Sequence, residues 1–247
     1  MIPKKLHYCW FGGGPKPISF HKCLESWKHF CPDFEIIEWN ETNAPNKGQA
    51  FYKNALRKQQ YAFVADTVRA EVLYIHGGIY LDTDMLLLKP LDLLLPYQFF
   101  SGEEVAGRVA YGLWGATPKH RFLKAMKSFY DTAYFNEFSP PVITHAFKDL
   151  VQQENLKSNE VIFPPEIFYP IPYENRAAAY SSFITDATMA VHLWDHSWNI
   201  TKEETKGTLL KKITTVCSDY LFYGYPTPYL KRYAKEFGRK LYHKIFT

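Results

Sequence analysis

Cysteine is scarce in these 247 residues, and no two of Cys9, Cys23, Cys31 and Cys217 make a C-x-x-C pair. That spacing excludes a zinc ribbon and a disulfide framework, and reduced thiols of a cytoplasmic chain are the simple expectation. No run of eighteen apolar residues occurs, so no membrane-spanning helix is expected. Met1 leads into a strand-like run rather than a charged-then-apolar leader. Internal repeats, low-complexity tracts and a clean linker are lacking too. The length then suits one α/β domain, with or without an appendage.

Basic charge is abundant only at one end. The chain carries a formal +4, but residues 202–247 hold ten Lys/Arg against four Asp/Glu, so residues 1–201 are net acidic. In Thr227 to Phe246, Leu230, Tyr233, Ala234, Phe237, Leu241 and Ile245 recur at helical spacing among Lys231, Arg232, Lys235, Arg239, Lys240 and Lys244. This reads as a basic amphipathic helix. It could lie peripherally on an anionic membrane, or dock on the domain with its basic face solvated. No nucleic-acid-binding motif accompanies the charge, so nucleic acid is not expected as a partner. The organisation expected is a domain over 1–201 with a helical extension over 202–247.

The chemistry concentrates in Ile79-Tyr80-Leu81-Asp82-Thr83-Asp84, entered from Gly77-Gly78. On an extended backbone, residues one apart point to the same side, so both carboxylates would share a face. Such a pair repels unless a cation sits between its members. Hard cations such as Mg²⁺ or Mn²⁺ prefer oxygen ligands and complete their shells with substrate phosphates. Just upstream, Gln59 to His76 reads as a helix with Phe63, Val68, Val72 and Ile75 along an apolar stripe and Gly77 as its stop. On it Asp66 and Arg69, three apart, share a face.

Together, Ala65-Asp66-Thr67-Val68-Arg69, the glycine pair and Tyr80-Leu81-Asp82-Thr83-Asp84 resemble the sugar-binding DXD region of glycosyltransferase family 32. More distantly, they resemble the clostridial glucosylating toxins. The family pattern is A-[SA]-D-x-x-R followed by L-x-x-x-G-G-x-Y-x-D-x-D. Ile2 to Gly13 resembles the family's first strand and nucleotide loop, Ser26-Trp27 and Ile37-Glu38-Trp39 its next helix and strand, and Val191 to Trp198 its closing A-x-H…S-W segment.

The resemblance implies a GT-A fold: an α/β Rossmann-like sandwich with a mixed central sheet and here a helical C-terminal tail. It implies a hexosyltransferase using a nucleotide-sugar donor, with a uridine nucleotide as the carrier by analogy. Transfer would proceed with retention to a surface-polysaccharide or glycolipid acceptor, on the cytoplasmic face of a membrane. Asp82, Asp84, Asp66 and Arg69 are then the catalytic candidates. Trp10, Phe11, Gly12, Gly13, Tyr80, Thr83 and Trp198 join Asp66, Arg69 and Asp82 in donor binding. Asp84, Asp82 and His192 are the ligands for Mn²⁺ or Mg²⁺. His192 has a competing reading as a satisfied core histidine, and His196 is a weaker version of the same idea.

Three alternatives use some of the same residues. A haloacid-dehalogenase-type phosphatase also places D-x-D after an apolar strand, but its motif opens the chain and continues to Thr or Val where Leu86 stands. A non-catalytic carbohydrate-binding module would explain the 17% aromatic content, though it leaves the two charged pairs unused. A toxin acting on proteins shares the core chemistry. Elsewhere, Gln98 to Glu103 reads as a strand, and Lys119 to Ala133 and Ile143 to Gln153 read as helices. Pro164 to Tyr173 looks too proline-rich for regular structure.

Overall fold

The computed structural model describes residues 1–136, 141–195 and 206–223, together with 227, 230, 231, 234, 235 and 237–239. The described chain divides into two compact units, residues 1–133 with 141–198, and residues 134–140 with 199–247.

In the first unit the chain runs β1 (Lys5–Cys9), α1 (Ile18–Phe30), β2 (Glu35–Trp39), α2 (Ala50–Arg57), α3 (Tyr61–His76), β3 (Gly78–Leu81) and β4 (Met85–Leu87). It continues through β5 (Phe99–Val105), β6 (Arg108–Ala116), α4 (Arg121–Thr132), α5 (Ile143–Ala146), β7 (Glu160–Phe163), α6 (Pro165–Phe168) and β8 (Ala190–His192). Six strands form one mixed sheet in the order β2-β1-β3-β6-β5-β7, and β4 pairs with β8 separately. β1 is parallel to both β2 and β3, while β6 is antiparallel to β3 and β5. The α/β architecture around a mixed sheet expected from the resemblance is present.

That order decides where a ligand can sit. The connections leave β1 in opposite directions, through α1 to β2 and then back past β1 to β3. A crevice therefore opens outside the carboxyl ends of β1 and β3, the position where open α/β sheets bind ligands. Trp10 to Gly14 follow β1, and Asp82 to Asp84 follow β3. The two faces of β1 are filled differently. Leu6 and Tyr8 join Phe20, Cys23 and Trp27 of α1 in the main apolar cluster. On the other side His7 is fully buried, bonded to the Gly77 carbonyl at 2.9 Å and to Trp39 Nε1 at 3.1 Å.

Several local expectations are corrected. The third helix starts at Tyr61, because Gln59 takes a positive φ of 56° that breaks helical continuity. It is not amphipathic over most of its length: residues 64–73 are all buried, whereas Ile75 is 43% exposed. The helix expected from Ile143 ends at Ala146 in a run of turns. The proline-rich stretch holds a short helix with Pro165 at its first position, where a missing N–H costs nothing. All four cysteines are free thiols.

In the second unit α7 (Lys206–Phe222) carries Val216, which is buried against Ile213, Leu230 and Phe237. Two residues of the expected C-terminal apolar stripe thus pack on a preceding helix. Tyr233, Leu241 and Ile245 lie outside the described residues. No helix of the described residues is long and apolar enough to cross a membrane.

Candidate active site

Asp82 and Asp84 do not lie on an extended strand, as the spacing alone suggests. β3 ends at Leu81, and the two aspartates form the turn into β4, closed by the Met85 N–H donating to the Asp82 carbonyl at 3.0 Å. The turn, not the pleat, brings the carboxylates together. β4 is held from both sides. Trp27 Nε1 donates to the Met85 carbonyl at 2.7 Å, and the Leu87 N–H donates to Ser26 Oγ at 3.0 Å. On its other edge β4 pairs with β8, with Met85 opposite His192.

That pairing delivers His192. Its Nε2 lies 3.2 Å from Asp84 Oδ1, and Asp82, Asp84 and His192 offer three ligand atoms within 4.8 Å of one another. Asp84 Oδ2 accepts the Asp195 N–H at 3.0 Å. The left-handed turn at Trp194, φ 55°, precedes that amide, and Ser19 Oγ bonds the Asp195 carboxylate. Burial works to raise the Asp84 pKa, but the charge and hydrogen bond of His192, with the Asp195 amide, hold it below the ordinary value. Burial likewise opposes charge on His192, yet Asp84 keeps that imidazole above its ordinary value. His192 Nδ1 is buried with no hydrogen-bond partner among the described residues. The two carboxylates supply the oxygen ligands that Mn²⁺ and Mg²⁺ prefer, so the residues present fit such an ion, with the His192 imidazole within reach as a third donor.

The second charged group comes from α3. Arg69 Nη2 sits 3.3 Å from Asp66 Oδ1 and 3.1 Å from Asp82 Oδ1, and Nη1 donates to the Tyr111 carbonyl at 2.9 Å. The guanidinium also lies over the Tyr80 ring, 4.6 Å from its centroid, and the Tyr80 hydroxyl donates to Asp82 Oδ1 at 3.2 Å. This is no surface ion pair: the Asp66 and Arg69 side chains are each 8% exposed. Burial pushes the Asp66 carboxyl up to about 7, only partly opposed by Arg69. Arg69 Nε is buried without a hydrogen-bond partner among the described residues.

Both groups line one cavity of about 740 Å³, within the range of small-ligand sites. Trp10, Phe11, Gly12, Tyr80, Thr83 and the charged residues above contribute to its wall. Trp10 is pinned by an Nε1 bond to the Gly14 carbonyl at 2.9 Å. Gly12 has φ 89°, and a Cβ there would fall 2.5 Å from the Tyr61 ring, so glycine is required. Its N–H is engaged by Glu41 Oε1 at 2.6 Å. Gly13 is exposed and does not line the cavity. His196 and Trp198 lie outside the described residues.

Residues not singled out in the sequence also enter the wall: Tyr61, Glu104, Arg108, Gly112, Tyr169 and Asp195. Asp195 lies inside the Val191 to Trp198 segment that resembles the family's closing one. Tyr169 was hidden in the proline-rich segment.

Two family descriptions match this chain. Residues 17–101, which hold Asp66, Arg69, Asp82 and Asp84, match the glycosyltransferase sugar-binding region containing DXD motif. Residues 117–220, which hold His192, match the alpha 1,4-glycosyltransferase conserved region. The chain is therefore similar to glycosyltransferases over both stretches.

Among similar proteins, the human alpha-1,4-N-acetylglucosaminyltransferase is 26% identical over 159 residues, 58% of this chain and 46% of that protein. Rat lactosylceramide 4-alpha-galactosyltransferase is 28% identical over 148 residues, 53% of this chain and 40% of that protein. The chain thus spans less than half the length of these two curated relatives. A solved glycosyltransferase involved in glycosylation of the major capsid of PBCV-1 is 14% identical, with a TM-score of 0.46 over 78% of this chain and 94% of that one.

Proposed function

We propose that this enzyme moves a hexose from a uridine-diphosphate-type nucleotide sugar to a hydroxyl of a glycan or glycolipid, using Mn²⁺ or Mg²⁺ held by Asp84, Asp82 and His192. The observation that carries the reading is the convergence of Asp82, Asp84 and His192 within 4.8 Å beside the buried Arg69 pair. Neither a phosphatase nor a non-catalytic sugar-binding module needs both groups, and the family match agrees with transfer.

Breaking the bond from the anomeric carbon to the diphosphate builds negative charge on the leaving group. A divalent ion, when bound, supplies Lewis-acid stabilisation of that charge. Asp84 is the direct ligand in this reading. Asp82, steadied by Arg69 and Tyr80, serves both the ion and the sugar. Asp66 and Arg69 hold donor hydroxyls, and the unpartnered Arg69 Nε is a further N–H for that task. Trp10 and Phe11 face the base, with Gly12 giving close approach. Thr83 and Trp198 complete the donor set, and Gly13 has a supporting place in the loop.

The names of two relatives include α-1,4 transfer, to lactosylceramide in one case, which supports retention and a saccharide or lipid-linked acceptor here. The catalytic part is assigned to residues 1–201. The basic residues 202–247 are assigned to peripheral contact with an anionic membrane at the cytoplasmic face, in keeping with polysaccharide assembly there. A panel of UDP-hexoses and GDP-mannose, scored for nucleotide release with and without saccharide acceptors, tests the reading. Release from one donor, raised by an acceptor, is expected. Indifference to every donor would overturn it.

A further inference from the structure

Tyr169 follows α6 and is 3% exposed, with its phenol at the cavity wall. Its oxygen accepts two backbone bonds, from the Gly112 N–H at 3.1 Å and the Leu113 N–H at 2.9 Å. A phenol oxygen has two acceptor sites and one proton, so only the O–H proton is left. No acceptor for it is found among the described residues. Burial keeps the phenol protonated, its pKa pushed well above the ordinary value. The two amides withdraw electron density from the oxygen, which strengthens the remaining O–H as a donor.

Asp82 shows the complementary deficit. Its Oδ1 is taken by Arg69 Nη2 and the Tyr80 hydroxyl, while among the described residues Oδ2 has only a long contact of 3.5 Å from Arg69 Nη1. Between the two lies Gly112. A Cβ added there would be 2.9 Å from Asp82 Oδ2 and 3.2 Å from the Tyr169 oxygen. A side chain at 112 would crowd both groups, and without one the phenol and the carboxylate stand side by side at the cavity wall, a donor next to an acceptor. A phosphate oxygen only accepts and would be repelled by Asp82. An ammonium only donates and would leave Tyr169 unanswered. An alcohol both donates and accepts, and it suits the pair.

We infer that Tyr169 is a sugar-binding residue: its O–H donates to one hydroxyl of the transferred hexose, and that hydroxyl donates to Asp82 Oδ2 beside Gly112. This rests on the nucleotide-sugar reading above. It adds a residue distant in sequence from the DXD segment and gives Asp82 a sugar contact besides its place at the ion.

The experiment is equilibrium binding of UDP and of UDP-glucose, UDP-galactose and UDP-N-acetylglucosamine, with Mn²⁺, to wild type, Tyr169→Phe and Gly112→Ala. The preferred donor is then tested as its monodeoxy analogues. In Tyr169→Phe the preferred UDP-hexose should weaken about tenfold or more, with UDP changed less than twofold. One monodeoxy analogue should weaken in wild type but lose little further in the variant.

Loss of UDP and UDP-hexose in equal measure would overturn the inference, as would no change in either. Both outcomes mean that the hydroxyl serves the strand or a structural water only. If wild type binds and turns over no nucleotide sugar, the parent reading falls and this one with it; turnover with an unaltered Tyr169→Phe removes this one alone. Should Tyr169→Phe fail to fold, Gly112→Ala decides. Gly112 has no positive φ, and the added methyl crowds Asp82 Oδ2 and the Tyr169 oxygen. A loss of sugar affinity beyond any loss of UDP is expected there, and undiminished sugar affinity would overturn the inference.

Discussion

His192 Nε2 stands 3.2 Å from Asp84 Oδ1 although the two residues are 108 positions apart, because β8 pairs with β4 directly after the aspartate turn. The contact makes Asp84 dependent on a histidine outside the DXD segment. His192→Ala should therefore raise the Mn²⁺ concentration for half-maximal activity by about tenfold or more, since even partners behind a ligand contribute that much. Manganese titration of activity and of bound-metal EPR checks it. An unchanged metal dependence would return His192 to the role of a core histidine.

Arg69 is shared by the buried Asp66, the partly exposed Asp82 and the Tyr111 carbonyl. Removing it leaves Asp66 and Asp82 uncompensated, which costs about 3–5 kcal/mol for a buried pair. Arg69→Ala should unfold at distinctly lower denaturant concentration as well as lose donor use. Arg69→Lys should recover part of the stability but less of the donor affinity, because a lysine cannot span both carboxylates. Equal stability of Arg69→Ala and wild type in urea melts would contradict this geometry.

The raised Asp66 pKa, about 7 against an ordinary 3.8, carries a stability cost with a definite sign. Between those values the folded state holds a proton that the unfolded state has released, so stability falls as pH rises through the window. Asp66→Asn lacks this loss. Melting curves without donor or metal should show the variant gaining on wild type between pH 5 and pH 8. A constant difference across that range would show that Asp66 titrates normally.

His7 has the opposite sign. Its desolvation lowers the pKa from 6.5 to about 4, so between these values the unfolded state binds the extra proton. Its contribution, roughly 3 kcal/mol for a shift of this size, is complete above about pH 6.5 and lost as pH falls toward 4. Unfolding free energies of His7→Gln should decline less steeply than wild type from pH 7 to pH 4.5. Parallel slopes would exclude His7 as the source.

What the sequence made legible was local. Asp66 and Arg69 are one helical turn apart, Asp82 and Asp84 one residue apart, and Gly12 follows an apolar run; each is a short-range pattern, although the aspartates converge through a turn and not along a strand. The parts that stayed hidden depend on long-range pairing. Nothing near Tyr169 announces that its hydroxyl meets the amides of Gly112 and Leu113, more than fifty residues earlier in the chain. The even burial of residues 64–73 was also unreadable, because polar Asp66, Thr67, Arg69 and Glu71 look like a solvated face until Asn46, Asp82 and Lys127 from other parts of the chain enclose them.

The most direct test of the account is nucleotide release from the preferred UDP-hexose by metal-stripped protein, before and after Mn²⁺ or Mg²⁺, beside Asp84→Asn at full metal. The account predicts no turnover without the ion, recovery on its addition, and a loss of about a hundredfold or more in Asp84→Asn with an unchanged melting curve. Full turnover by the stripped protein, or by Asp84→Asn, would contradict it.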